Sequence, residues 1–265
     1  MPKRSRDKQL AKLAQRRQAE RRAAKRRRDL TIGLVAGGIA LVLVAVGAFI
    51  LFGGGDDQTD AASPSASGST PAAVACDAKV PATAGQQKPT FEAPPKMTID
   101  PSKSYTATMV TSCGTIEIDL LPKVAPEGVN NFVFLAKQGF YDGLTFHRIV
   151  ADFVIQGGDP VGDGTGGPGY EFPVTVTKGV SFDSGGVLAY AHAQTGGNGS
   201  QFFITLAEAP NLDPPNGQYT IFGSVTNGQD VLDAIAAVPT VAGPSGEPSQ
   251  PTEVVYIDSV TIAES

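Results

Sequence analysis

The chain has 265 residues and a net charge of −5, but that average hides a division: residues 1–29 carry 13 of the 21 Lys and Arg against three acids, a net of +10, and the remainder stands at −15. Such asymmetry excludes a uniformly acidic protein in one environment and points to two. Two His, two Cys and no Cys-x-x-Cys provide no set of three or four clustered zinc ligands, so neither metal nor cofactor is expected.

The basic segment, 1–29, reads as a cytoplasmic tail. It is followed by 23 uncharged residues, 30–52, from Leu30 to Phe52. At a helical rise of about 1.5 Å per residue they reach about 34 Å, enough to cross a hydrocarbon core of about 30 Å. A cleaved secretory signal is the rival, but its apolar region is usually shorter and ends at an A-x-A-like site, whereas Phe49-Ile50-Leu51-Phe52 runs directly into Gly53. An uncleaved single-pass anchor is therefore expected. Arg and Lys precede the span and Asp56 and Asp57 come after it, which keeps the tail in the cytoplasm and exports the rest. The tail's neighbourhood makes anionic lipid its expected partner rather than nucleic acid.

Residues 53–100, rich in Ser, Ala, Gly and Pro, read as a disordered linker that cannot bury enough surface to offset its ordering entropy, although the part from Cys76 onward is a candidate to dock on the domain beyond it. Cys76 and Cys113 both lie on the exported side, where a disulfide can persist. Spacing leaves two readings open, a bridge or two unrelated thiols.

Residues 101–265 form the predicted domain. Tyr105 to Val110 and Thr115 to Leu121 alternate as half-buried strands around a Cys113-Gly114 turn. Pro126 opens a helix whose Val129, Phe132, Val133 and Ala136 share a face, and Gly139 ends it. Thr145 to Val150, Phe153 to Gln156, Val187 to Ala191, Gln201 to Leu206 and Tyr219 to Val225 read as strands. Gln229 to Val238 reads as a second helix and Glu253 to Ile262 as a closing strand. Many short strands with Gly/Pro-rich connections suggest a β-barrel with helices over its ends, though periodicity does not separate that from a sandwich.

Two blocks carry the chemistry. One is Phe146-His147-Arg148 followed by Phe153-Val154-Ile155-Gln156-Gly157-Gly158-Asp159; the other is Asn198-Gly199-Ser200-Gln201-Phe202-Phe203. With Tyr141-Asp142-Gly143 upstream and Tyr219-Thr220-Ile221-Phe222-Gly223 downstream, the stretch from about 104 to 262 resembles the cyclophilin family of peptidyl-prolyl cis-trans isomerases. The resemblance implies a mainly β fold, an eight-stranded antiparallel closed barrel capped by two helices. It implies a catalytic Arg148 supported by Gln156. It further implies a proline pocket of Phe153, Val154, Phe203 and Leu212, a groove lined by Gln201, a substrate-binding backbone at Ala191 and His192, and a rim residue at Tyr219.

This chemistry needs no nucleophile. An X-Pro bond resists rotation through amide resonance, and a forked cation beside the twisted nitrogen would favour the twisted state over the planar one. Phe202, next to Phe203, should point the other way into the core, and His147 away from Arg148. The family often has a tryptophan where Asn211 stands and a histidine where Tyr219 stands, so weak cyclosporin binding is expected. The expected partners are proline-containing peptides and unfolded exported proteins, met by a monomer in the cell membrane. The alternative is a non-catalytic proline-peptide binding module or a chaperone-like tether on the same fold.

Overall fold

A computed structural model of the chain describes residues 73–193, 195–215 and 217–265. The predicted tail, membrane span and first part of the linker lie outside the described residues. Among the described residues no helix is long and apolar enough to cross a membrane.

Among the described residues eleven strands and two α-helices make up the body. In chain order the strands are β1 (Tyr105–Thr111), β2 (Gly114–Leu120), β3 (Leu144–Thr145), β4 (Arg148–Val150), β5 (Val154–Gly157), β6 (Val187–His192), β7 (Asn198–Thr205), β8 (Ile221–Asn227), β9 (Thr240–Ala242), β10 (Pro248–Pro251) and β11 (Tyr256–Glu264). The helices are α1 (Pro126–Lys137) and α2 (Gln229–Ala236). Nine strands join one antiparallel sheet in the order β3-β11-β1-β2-β8-β6-β7-β5-β4, and β9 and β10 form a separate hairpin.

The expected eight-stranded closed barrel is thus a nine-stranded curled sheet. The single strand predicted over 145–150 is broken at Phe146 and His147: its first part pairs with β11 and its second with β5. The edges of the sheet, β3 and β4, are therefore consecutive in the chain, and covalent continuity rather than a hydrogen-bonded ladder joins them. The amide of Phe146, within the break, donates to the carbonyl of Val255 at 2.9 Å.

Alternation sorts side chains onto the two faces of this sheet. Leu188, Tyr190, Phe202, Ile204 and Phe222 fall in the main core, together with the α1 stripe Val129, Phe132, Val133 and Ala136 and the α2 stripe Val231, Leu232 and Ile235. Their neighbours Val187, Ala189, Ala191, Phe203 and Ile221 fall in a second, smaller apolar cluster with Val154 and Leu212. Pro126 stands at the start of α1, where a missing N–H costs nothing, and Gly139, just beyond its end, adopts φ 65°.

Residues 73–104 correct the predicted linker, whose second half is part of the folded body. Ala75 donates to the carbonyl of Val254 and Val254 to that of Ala73, at 3.0 and 2.8 Å. Cys76 is disulfide-bonded to Cys113 in the β1–β2 turn. The backbone of Thr83 lies so close to Gly143 that a Cβ there would come within 2.4 Å of it. Phe91 packs edge-on against Phe134 of α1, with ring centres 4.9 Å apart. The buried Asn130 accepts from the amide of Thr98 at 2.8 Å and donates to the carbonyl of Lys96 at 3.0 Å. Apolar residues scattered singly look like a linker in one dimension, but Phe91 and Ile99 meet partners on the domain, while Val80 and Met97 stay exposed.

Candidate functional site

The second apolar cluster supports a hollow of about 300 Å³. Its apolar wall is made by Phe153, Val154, Phe203 and Leu212, with Ala191, His192 and Tyr219 along the side. Arg148 and Gln156 supply its polar edge. These residues come from β4, the turn before β5, β5, β6, β7, the short 3-10 turn Pro210–Leu212 and the segment before β8. Nine of the ten residues expected at the site converge on this one hollow. The tenth, Gln201, stands one step aside. It accepts from Gln156 at 3.0 Å and donates to the carbonyls of Gly164 and Gly166 at 3.0 and 2.9 Å, tying the glycine-rich loop to β7. It lines an adjoining hollow of about 500 Å³, whose other walls include Thr165 to Glu171 and Thr195; Ala191 borders both.

The local sequence explains how the walls are held. Phe203 is 5 % exposed and its ring stacks on that of Phe182, centres 5.8 Å apart. Tyr219 meets Phe203 edge-on at 5.3 Å, and His192 stacks on Tyr219 at 4.6 Å. The His192 Nε2 lies 2.7 Å from the carbonyl of Gln218, which only an N–H can approach favourably, so Nε2 carries the proton. Phe182 was not foreseen. It sits in an irregular segment with no periodicity, and only the fold brings it beneath Phe203.

Asn198 and Ser200 in the second block are structural. Ser200 is wholly buried and its hydroxyl donates to the carbonyl of Gly158 at 2.7 Å, while the Asn198 amide donates to Pro173 and Thr220. Gly158 adopts φ 81°, and a Cβ there would lie 2.4 Å from the carbonyl oxygen of Ser200, so the two blocks lock together only through glycine. The buried carboxylate of Asp159 accepts from the amides of Val161 and Gly164 at 2.8 and 2.6 Å, which fixes the entry to the glycine-rich loop.

Arg148 is the single arginine after residue 28. It lies directly across the β4–β5 ladder from Gln156. Among the described residues no hydrogen bond joins the two side chains, because Gln156 is turned to Gln201. The arginine Nη2 instead donates to Oε2 of Glu247 at 2.7 Å. Glu247 was also not foreseen: it lies in the Pro- and Gly-rich turn between β9 and β10, a hairpin the sequence did not announce. His147, within the β3–β4 break, has a buried Nδ1 without a hydrogen-bond partner, and burial holds its pKa below the usual imidazole range despite the nearby Asp159.

The family profile described as "Cyclophilin type peptidyl-prolyl cis-trans isomerase/CLD" matches residues 106–262. A relative from Mycobacterium leprae, described as a probable peptidyl-prolyl cis-trans isomerase A, is 44% identical over 179 residues, covering 61% of this chain and 93% of its own. A peptidyl-prolyl cis-trans isomerase B of Streptomyces anulatus is 43% identical over 173 residues, covering 59% and 95%. Among solved structures, a Cryptosporidium parvum cyclophilin-type isomerase crystallised in the presence of the dipeptide Ala-Pro superposes with a TM-score of 0.54 at 31% identity, over 60% of this chain and 98% of that one. With the profile spanning both sequence blocks and the sheet that joins them, the chain belongs to the cyclophilin-type peptidyl-prolyl cis-trans isomerase family.

Proposed function

We propose that the chain accelerates rotation about X-Pro bonds in exported proteins, with Arg148 as the catalytic group and the 300 Å³ hollow as the proline site. The observation that carries this reading is the meeting of the one arginine of the body with a proline-sized apolar slot on a single wall of the sheet. A planar X-Pro amide exchanges only over tens to hundreds of seconds, across a barrier of about 18–20 kcal/mol. In the twisted state the imide nitrogen regains its lone pair. A guanidinium N–H aimed at that nitrogen binds the twisted form more tightly than the planar one, and this difference lowers the barrier. Phe153, Val154, Phe203 and Leu212 hold the ring while the preceding carbonyl swings, and the adjoining larger hollow lets the peptide run on past Ala191.

An exchange-NMR or protease-coupled assay of the full chain on an X-Pro peptide tests this. Wild type should exceed the uncatalysed rate, and Arg148→Ala should lose on the order of a hundredfold in kcat/KM, as the loss of a transition-state donor does. Wild type that binds the peptide without turnover would identify a binding module instead. The rim residues Asn211 and Tyr219 support weak cyclosporin binding, which nanomolar inhibition would contradict.

The sequence supports placing this enzyme at the outer face of a cell membrane, anchored through residues 30–52 with the basic tail inside. Protease added to intact cells should remove the catalytic domain and leave a membrane-bound stub; resistance of the domain would overturn the topology.

A further inference from the structure

We infer that Glu247 is the positioning residue for the catalytic arginine, a task for which Gln156 was the candidate. The inference rests on the isomerase reading above and adds to it the group that aims the cation. Two sets of contacts lead there. At the guanidinium, the carboxylate of Glu247 takes one Nη2–H, leaving the rest of a five-donor fork for the substrate. Gln156, opposite on the ladder, is committed to Gln201. At the other end, the backbone of Glu247 is fixed: its carbonyl accepts from the amide of Gly243 at 2.8 Å and from the hydroxyl of Ser249, 5 % exposed, at 3.2 Å. Gly246 at φ 81° makes the tight turn that brings the carboxylate round. The β9–β10 hairpin thus acts as a bracket. Its backbone is tied within the hairpin, β10 packs beside β4, and Glu247 gives the guanidinium its one protein hydrogen bond among the described residues.

Arginine carries substantial rotamer freedom, and a donor that wanders contributes less where reacting atoms need a fixed approach. Holding one arm of the fork removes that freedom without blocking the remaining donors. The contribution should fall on turnover rather than on substrate binding, because the donated bond matters most in the twisted state.

The test uses the full chain and four variants in the X-Pro exchange assay. Glu247→Gln should lower kcat and kcat/KM together by about three- to fivefold, the size a partly exposed ion pair can supply, with KM unchanged. Glu247→Asp should recover part of that loss. In an Arg148→Ala background Glu247→Gln should cost nothing further, since Glu247 acts only through the arginine. A guanidinium NMR signal, assigned by its disappearance in Arg148→Ala, should show slower rotation in wild type than in Glu247→Gln. Wild-type activity in Glu247→Gln, or an equal loss in both backgrounds, would overturn the inference and leave the isomerase reading intact. A wild-type chain without turnover would remove the isomerase reading, and the inference with it.

Discussion

Phe202 and Phe203 are adjacent in β7 and belong to different structures: Phe202 is wholly buried in the main core against Phe132 and Tyr141, and Phe203 lines the hollow proposed as the proline site. Truncation should separate the two. Phe202→Ala should cost about 3–5 kcal/mol of stability through the cavity it leaves. Phe203→Ala should cost less stability, because one side of its ring already faces the slot, and it should depress kcat/KM far more per unit of stability lost. Urea melts and the exchange assay check both. Equal stability and activity losses would show that the two faces are not distinct.

Arg148→Lys separates charge from geometry. Lysine keeps the positive charge but loses the planar fork. With side-chain exposures of 29% and 40%, the pair with Glu247 contributes little to folding, so the melting temperature should stay close to wild type. Turnover should fall well below wild type while remaining above Arg148→Ala. A lysine variant as active as wild type would mean that a point charge suffices.

The Cys76–Cys113 disulfide closes a segment of 37 residues, for which the loop-entropy relation gives about 4 kcal/mol of stabilisation. Reducing it, or replacing both cysteines by serine, should lower the unfolding free energy extrapolated from urea melts by that order. None of the slot residues lies on β1, β2 or the segment the bridge pins, so kcat/KM at room temperature should be preserved. Loss of activity without loss of stability would show a coupling to the slot that the contacts do not carry.

His147 gives the fold an acid dependence. Its folded-state pKa lies below the usual 6.5 because burial disfavours the charged ring. Both states are neutral above pH 6.5. Below it the unfolded chain takes up a proton that the folded chain resists, so stability falls from pH 6.5 down to the lower folded-state value and then levels. The slope from this residue is at most about 1.4 kcal/mol per pH unit. Urea midpoints between pH 7.5 and 5 should decline more steeply for wild type than for His147→Gln. Parallel declines would assign the acid dependence to other groups.

Most of the slot was legible through the resemblance that the two sequence blocks carry; alternation adds only that the adjacent Phe202 and Phe203 point to opposite faces, and Phe153, Leu212 and Tyr219 lie off the strands altogether. What the sequence hid came from three-dimensional company. Asn130 and Asn131 look like exposed helix positions but are buried, one binding the segment 96–99 and the other bonding to Tyr190 and the carbonyl of Gly199. Phe182 and Glu247 lie in irregular or Pro/Gly-rich stretches where no period marks a face. The β9–β10 hairpin escaped because Pro248 and Pro251 occupy the ends of β10, positions an isolated two-stranded ribbon tolerates. The β3–β4 break escaped because apolar residues continue through it, and only the structure shows the buried positions changing phase there, from Leu144 and Phe146 to Ile149.

That break also bears on the company a proline isomerase keeps. Unfolded chains are adhesive, and an open sheet edge is a template on which an extended segment can add itself as a new strand. Here the two margins of the sheet are only two and three residues long, and the chain runs directly from one to the other. The short margins β3 and β4 offer such a segment little ladder, whereas among the described residues the outer side of β11 beyond Ile257 has no strand beside it, its Val260 amide being taken by the Asp142 carboxylate at 3.2 Å. The break therefore shortens two of the rows on which an extended chain could add itself, and leaves the outer side of β11 as the longer one.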